Sequence, residues 1–239
     1  MTSNELISYI HSFCEANKDE ARIEQNKRFF KGGEFKGYGL TAPQVYAEIK
    51  ELLKSPEMSF DLVLEATPAL LKNEMYEPIT MALLLVNAYG EQYSKALFDQ
   101  MNHWYSFTIH NWAHADTMGM FILPQFLKYK VLTYKDFKPW ITVEYKFQRR
   151  SVPVTFIKLL KSKTIDDFNP IFKFLEPLMT DPEREVHQGM GWFLREAWEL
   201  KPEQTEPFLL KWKDTAPRLI INYATEKMTK EQKLRFKKG

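Results

Sequence analysis

Apolar residues recur at helical spacing along almost the whole chain, and this period constrains the fold more than any single residue does. No stretch alternates apolar and polar residues for long enough to favour a β-strand. Glycine is scarce, with 9 residues, and the 13 prolines fall mostly at predicted helix starts and turns. The sequence therefore predicts an all-α protein.

The first predicted helix runs from Asn4 to Ala16 and is followed by a basic stretch that ends at Lys31. Thr41 is a plausible N-cap, with Pro43 in the first turn of a helix that runs to about Leu53. Further helices are predicted at 59–72, 77–88, 91–103, 108–129, 134–145, 149–162, 166–179, 183–199, 204–213 and 216–228.

Pairs of short helices, each with one apolar face, are typical of stacked helical repeats of the HEAT-like kind. We therefore expect a single domain over 1–239 that forms an α-solenoid, with N-terminal helices in 1–31 and a basic tail at 227–239. A compact all-α bundle is the alternative. In a solenoid, one set of helices would line a concave surface that can follow a duplex.

Composition narrows the class of protein. The single cysteine, Cys14, rules out an internal disulfide framework and a cysteine-rich zinc site, and we expect it to be a small apolar residue of the first helix. The longest uninterrupted apolar run, 81–86, is too short for a membrane span. The N-terminal residues lack the basic and apolar regions of a secretion signal. We expect a soluble cytoplasmic protein of bacterial type, with no membrane partner.

The net charge of +2 does not by itself indicate nucleic-acid binding. The basic residues are nevertheless clustered in three places, and such clusters suit contacts with phosphates. The tail cluster has a second interpretation as a solvated, frayed end. The clusters are Lys27, Arg28, Lys31 and Lys36; Arg149, Arg150, Lys158, Lys161 and Lys163; and Lys227, Lys230, Lys233, Arg235, Lys237 and Lys238.

Trp112 and Asp116 are four residues apart, so a helix places the indole and the carboxylate on one face. On a helical wheel of 108–129, Asp116 falls in the middle of the apolar stripe, where a carboxylate is costly unless it is paired or hydrogen-bonded. The pair therefore indicates a site, although an aspartate that caps a neighbouring helix at the rim of the core is the alternative. The predicted stripe consists of Ile109, Ala113, Met120 and Leu123.

Trp192 lies more than a right angle away from the apolar stripe of its own helix. A tryptophan on a polar face either packs on another element or contacts a ligand. The predicted stripe of helix 183–199 consists of Val186, Met190, Phe193, Leu194 and Ala197.

His110 and His114 are also four residues apart, but no third ligand stands at a convincing spacing. The sequence has no P-loop, no Rossmann glycine motif and no nucleophile elbow. The glycines at 32, 33, 37 and 39 fit a turn between helices. We expect neither a metal nor a cofactor.

Four patches of the sequence resemble the AlkD-type DNA alkylation repair glycosylases, which are built from HEAT-like repeats. The resemblance covers roughly residues 20 to 225, and the order and spacing of the patches make it specific. The patches are Arg28-Phe-Phe-Lys31 with Gly39-Leu-Thr-Ala-Pro43; Asn111-Trp-Ala-His-Ala-Asp116; Phe147-Gln-Arg-Arg150; and Gly191-Trp-Phe-Leu-Arg-Glu196.

The resemblance implies excision of N3- or N7-alkylated purines from duplex DNA by a monofunctional glycosylase, without a need to turn the base into a pocket. It assigns catalysis to Asp116, Trp112 and Trp192, where Asp116 would stabilise the cationic sugar and orient the attacking water. Arg150 would hold a phosphate. With the basic clusters, it also suggests DNA contacts for Arg149, Lys31, Phe29 and Lys158.

Three positions depart from the family pattern and bear on substrate range and rate. Phe29 stands where tyrosine is usual, Phe147 where tryptophan is commoner, and Ala113 where a polar or acidic residue is frequent. Two other functions are compatible with the same features. One is a non-catalytic binder of unusual DNA structures, and the other is a HEAT-like scaffold for protein interactions. We expect a monomer that binds alkylated double-stranded DNA.

Overall fold

A computed structural model describes residues 1–30, 35–162 and 165–237. Within these ranges every regular element is a helix, so the all-α prediction is confirmed. No helix in them is both long and apolar enough to cross a membrane. The α-helices are α1 Ser3–Ala16, α2 Glu20–Lys27, α3 Ala42–Leu52, α4 Phe60–Leu71, α5 Tyr76–Asn87, α6 Lys95–Phe107, α7 Trp112–Thr117, α8 Leu123–Lys128, α9 Lys146–Lys161, α10 Asn169–Leu175, α11 Arg184–Leu200, α12 Pro202–Trp212, α13 Arg218–Ala224 and α14 Lys230–Leu234.

Side chains that cap the first turn fix where several helices begin. Thr41 accepts a hydrogen bond from the backbone N–H of Gln44, whose side chain accepts one from the Thr41 N–H at 2.8 Å. Pro43 lies in the first turn of α3, where its missing N–H costs nothing. The prediction of a capped helix at this point is therefore confirmed. Thr2 and Thr229 start α1 and α14 with the same reciprocal capping.

The contacts of the chain fall into two compact units, Met1–Thr117 and Met118–Gly239. In unit 1, α4 and α5 pack on each other and α1 packs on both. Cys14 of α1 is fully buried beside Met81 of α5, as predicted, and its burial raises the pKa of the thiol to about 12. The run 81–86 forms the centre of this core because its side chains are at most 7% exposed.

In unit 2, α11 packs on α9 and on α13. The five residues of its predicted apolar stripe are all fully buried, so that prediction is confirmed. A Cβ on Gly191 would lie 2.4 Å from Cβ of Tyr223 and 2.9 Å from the carbonyl oxygen of Ile220. Only a glycine lets α13 approach α11 this closely. Together with the helix pairing in unit 1, this packing is that of a helical-repeat protein, as predicted.

The predicted helix 108–129 begins only at Trp112 and is divided into three parts, and its predicted stripe is partly wrong. A π-helical turn at Met118–Ile122 separates α7 from α8. Because each π-helical bond spans one residue more than an α-helical bond, the faces of the helix rotate across this turn. Ala113 and Met120 are half-buried, whereas Ala115, Met118 and Ile122 are fully buried.

Several other predicted helices start or end elsewhere, and for two of them the structure shows the cause. The predicted helix 91–103 is observed at Lys95–Phe107, because the Ser94 hydroxyl accepts a hydrogen bond from the backbone N–H of Leu97 and caps the helix there. The predicted helix 134–145 is a 3₁₀ helix that ends at Ile141 and contains Pro139, which cannot donate a backbone hydrogen bond.

The basic tail is folded as far as residue 237. It contains α14, and the ring of Phe236 behind it is fully buried. Nη1 of Arg218 donates to the carbonyl oxygen of Phe236 at 2.7 Å. This part of the tail therefore belongs to the core of unit 2 rather than to a frayed end.

Candidate active site

Trp112 is the first residue of α7, and the Asn111 side chain fixes this start by accepting a hydrogen bond from the backbone N–H of His114 at 2.9 Å. The indole N–H donates to the carbonyl oxygen of Phe29 at 3.2 Å. One face of the indole stacks on Phe30, with ring centroids 6.1 Å apart and planes inclined by 27°. The side chain is nevertheless 40% exposed. The indole is therefore fixed in position and still presents much of its surface to solvent.

Asp116 lies one turn beyond Trp112 on the same helix and is half-buried. The indole and the carboxylate therefore lie one turn apart on one helix, as their spacing predicts. The neighbouring phenol of Tyr76 is sensitive to this carboxylate. Burial raises the pKa of Tyr76, a hydrogen bond with Thr80 lowers it, and the nearby Glu77, Tyr46 and Asp116 raise it further.

His114 attaches α7 to α5, and its side chain is completely buried. Nε2 donates to the carbonyl oxygen of Tyr76 at 3.1 Å, and Nδ1 accepts from the side-chain amide of Asn111 at 2.9 Å. Its ring also stacks on Tyr76, with centroids 4.8 Å apart. Because both nitrogens have protein partners, His114 is a structural residue. In 1–30, 35–162 and 165–237, no three His, Cys, Asp or Glu side chains are grouped so that they could hold a metal.

Phe29 follows the end of α2, and its ring is 54% exposed. The Arg28 guanidinium carbon lies 4.6 Å from the centroid of this ring. The backbone carbonyl of Phe29 is the group that accepts the hydrogen bond from the Trp112 indole. Lys31, the other predicted DNA contact of this segment, lies outside the described residues.

Glu77 is a buried carboxylate that the sequence analysis missed. It accepts backbone hydrogen bonds from Tyr38, Gly39 and Leu40 at 2.7, 2.8 and 3.1 Å, and thereby fixes the loop before α3. Burial raises its pKa, while these hydrogen bonds act in the opposite direction. Gly39 has φ +80°, and a Cβ on Gly37 would lie 2.5 Å from the Phe35 ring. The two glycines were the available signal for this turn.

Arg149 is buried within unit 2. Its guanidinium forms a two-point ion pair with Asp181, at 2.6 and 3.1 Å, and Nη1 also donates to the carbonyl oxygens of Val143 and Glu144 at 2.7 Å. A buried pair of this kind is costly to break. The geometry gives Arg149 a structural role, and its predicted DNA contact stays a prediction.

Arg150 and Lys158 lie on the same helix, α9, in different surroundings. Arg150 is 5% exposed, and its Nη1 donates to the carbonyl oxygen of Glu185 in the first turn of α11 at 2.8 Å. Gly189 of α11 leaves room for it, since a Cβ there would lie 3.1 Å from Cγ of Arg150. Lys158 is exposed, and its Nζ lies 5.8 Å from the ring centroid of Phe121.

Trp192 is half-buried on the opposite side of α11 from the core stripe. Its indole N–H donates to the Glu196 carboxylate at 3.1 Å, and Lys161 and Arg195 form ion pairs with the same carboxylate. Burial alone would raise the pKa of Glu196, but the two cations outweigh it and lower the pKa. The last residue of the Gly191–Glu196 patch is thus a charged anchor for the indole, a role the sequence analysis did not identify.

The family model for the DNA alkylation repair enzymes matches residues 12–228 of this chain. The chain belongs to this family. The predicted resemblance to AlkD-type proteins is therefore confirmed, and family membership supports a role in the repair of alkylated DNA.

Among solved structures, the chain is similar to a protein described as a predicted DNA alkylation repair enzyme from Enterococcus faecalis. The TM-score is 0.71 at 14% identity, over 89% of this chain and 98% of that one. At this identity the likeness shows the fold. A comparison with curated proteins finds no match.

His114 gives unit 1 a pH-dependent stability. Burial lowers its pKa from 6.5 to about 4, so the folded state resists a proton that the unfolded chain accepts. The stability that it contributes is complete above about pH 6.5 and is lost as the pH falls toward about 4. We expect the free energy of unfolding to drop by roughly 2–3 kcal/mol more in the native protein than in His114→Gln across this window.

Urea unfolding followed by tryptophan fluorescence at several pH values measures this difference. His103→Gln, at an exposed position of α6, is the matched control and should follow the native protein. Parallel pH profiles for the native protein and His114→Gln would refute the account of a neutral, structural His114.

Proposed function

We propose that this chain is a monofunctional DNA glycosylase, which releases N3- or N7-alkylated purines from duplex DNA and leaves an abasic site. The observation that supports the proposal is the arrangement of two side chains on α7, in a chain that belongs to the DNA alkylation repair family. The Trp112 indole is fixed by a hydrogen bond and is still exposed, and the Asp116 carboxylate is half-buried one turn later.

The chemistry suits a site with a negative charge and no strong acid. An N3- or N7-alkylated purine carries a positive charge, so it leaves with the electrons of the glycosidic bond as a neutral base. The sugar then becomes positively charged at C1′, and the Asp116 carboxylate would stabilise that charge electrostatically. A water molecule oriented by Asp116 adds its oxygen to C1′, and its proton passes to the carboxylate or to solvent.

On the resemblance, the electron-rich faces of Trp112 and Trp192 would serve to stabilise the cationic sugar. An indole face attracts a cation by about 0.5–2 kcal/mol, and more when water is excluded. Each indole N–H already has a protein acceptor, the Phe29 carbonyl for Trp112 and the Glu196 carboxylate for Trp192. Both rings are therefore oriented before a substrate arrives, which lowers the cost of reorganisation during the reaction.

DNA phosphates would be bound by Lys158, whose ammonium is exposed, and, on the resemblance, by Arg150 of the same helix. Phe29 would contact the strand beside Trp112, and we include Lys31 on the resemblance alone. Arg149 is left out because its guanidinium is committed to Asp181 and two carbonyls.

Replacement of Asp116 by asparagine should abolish most of the excision while leaving binding intact. Asparagine keeps the shape and removes the charge, so we expect single-turnover excision of N7-methylguanine from a duplex to fall by about 100-fold or more. Abasic sites revealed by alkali measure the excision. Asp99→Asn, on the exposed surface of α6, is the matched control and should retain the native rate.

Equal excision rates for Asp116→Asn and the native protein would contradict the catalytic role of this carboxylate. Tight binding to duplex with no excision by either protein would instead favour a non-catalytic binder of DNA.

Lys158→Gln should weaken duplex binding and reduce its dependence on salt. Removal of one phosphate contact lowers the slope of log affinity against log salt concentration by about one. Fluorescence anisotropy with a labelled duplex at several salt concentrations measures the slope. Lys95→Gln, at an exposed position of α6, is the control. Duplex binding that is absent or insensitive to salt in the native protein would argue for the protein-interaction scaffold.

A further inference from the structure

A cavity of about 590 Å³ lies within unit 1, bordered by α2, α3, α5 and α7. Its volume falls in the range of sites that bind small molecules, about 300–1,000 Å³. Most of the residues that line it are aromatic or aliphatic, and its few polar groups include the buried Glu77 carboxylate. The aromatic residues that line it are Phe29, Phe30, Phe35, Tyr46, Tyr76 and Trp112.

One wall of the cavity is a packed group of rings. Phe30 stacks on Trp112 and contacts the rings of Phe35 and Tyr76, with centroids 5.0 and 6.0 Å away. These ring contacts belong to the packing of the folded protein, which accounts for the aromatic residues of the wall. They also make it rigid, since each ring is held by its neighbours.

Tyr46 differs from these packed rings. It lies on α3 beside Val45 and Ile49, which are 4% and 6% exposed and attach this helix to the core. Its own side chain is 49% exposed, and none of the described rings stacks on it. Packing of the core therefore does not explain an aromatic residue here. A ring that lines the same cavity as an aromatic wall provides a further surface on which a planar group can stack.

A positively charged side chain also lines this cavity. Arg22 and Asn26 of α2 line it. The ion pair of Arg22 with Asp19 spans 3.8 Å between partners that are 44% and 47% exposed, so it contributes little and is readily exchanged. A guanidinium in this position suits a phosphate, which it binds with two parallel N–H donors.

We propose that this cavity binds one unstacked nucleotide of a DNA strand, with its base between Tyr46 and the aromatic wall and its phosphate at Arg22. Stacking on aromatic rings tolerates any base, because every base has a π-face. The nucleotide has two possible sources, a single strand and an extrahelical position in a duplex. The inference goes beyond the proposed excision, since it requires no chemistry on the base and applies to unmodified DNA.

The test compares three fluorescein-labelled DNAs by anisotropy: a single strand of about twelve nucleotides, the matched perfect duplex, and the duplex with one unpaired nucleotide. The native protein should bind the single strand, the bulged duplex or both more tightly than it binds the perfect duplex. Tyr46→Ala should weaken that binding by about tenfold and change perfect-duplex binding by less than about twofold. Tyr46→Phe keeps the ring and should bind like the native protein.

Two further variants make the result decisive. Tyr129→Ala removes an exposed tyrosine of unit 2, 40% exposed, and should change nothing. Arg22→Gln should weaken the same two DNAs as Tyr46→Ala does, which gives a second test if Tyr46→Ala fails to fold by circular dichroism. Loss confined to the single strand, or to the bulge, identifies the source of the nucleotide.

The inference is overturned if Tyr46→Ala and Arg22→Gln bind all three DNAs like the native protein, or if they weaken the perfect duplex as much as the others. This outcome is separate from the fate of the proposed excision. A protein that releases no alkylated base and still loses unpaired-DNA binding on Tyr46→Ala contradicts the glycosylase and supports the nucleotide site.

Discussion

The carboxylate of Glu77 organises unit 1 because it is buried and its charge must be satisfied inside the protein. Three backbone N–H groups of residues 38–40 do this, and they draw the loop before α3 onto α5. With the loop fixed, Thr41 can cap α3 and Tyr46 comes to border the aromatic cavity. The Arg149–Asp181 pair has the corresponding function in unit 2, where it ties the start of α9 to the segment before α11.

Within each unit, polar contacts orient a candidate site tryptophan and leave part of its ring accessible. Trp112 is held by a carbonyl and a stacked ring, and Trp192 by a carboxylate that two cations keep charged. Such supporting contacts decide whether an indole can present a fixed face to a ligand. The motifs that relate this chain to its family therefore contain both the proposed reacting groups and the residues that position them.

Local patterns predicted much of this structure. The apolar stripe of α11 and the capped start of α3 follow from spacing within a single helix, and both are confirmed. The stripe of 108–129 was only partly right because the helix begins at Trp112 and a π-helical turn changes its period after Thr117, neither of which a fixed helical wheel anticipates. The roles of Glu77 and Arg149 were missed for another reason. Their partners lie more than 30 residues away in the chain, so no local pattern reveals them.

The central claim is that a member of the DNA alkylation repair family hydrolyses the glycosidic bond of cationic purines. Its most direct test is to incubate the purified protein with methylated duplex DNA and to identify the released bases by mass spectrometry. The account predicts free N7-methylguanine and N3-methyladenine, with one abasic site formed for each base released. Saturating binding to the methylated duplex without release of either base would contradict it.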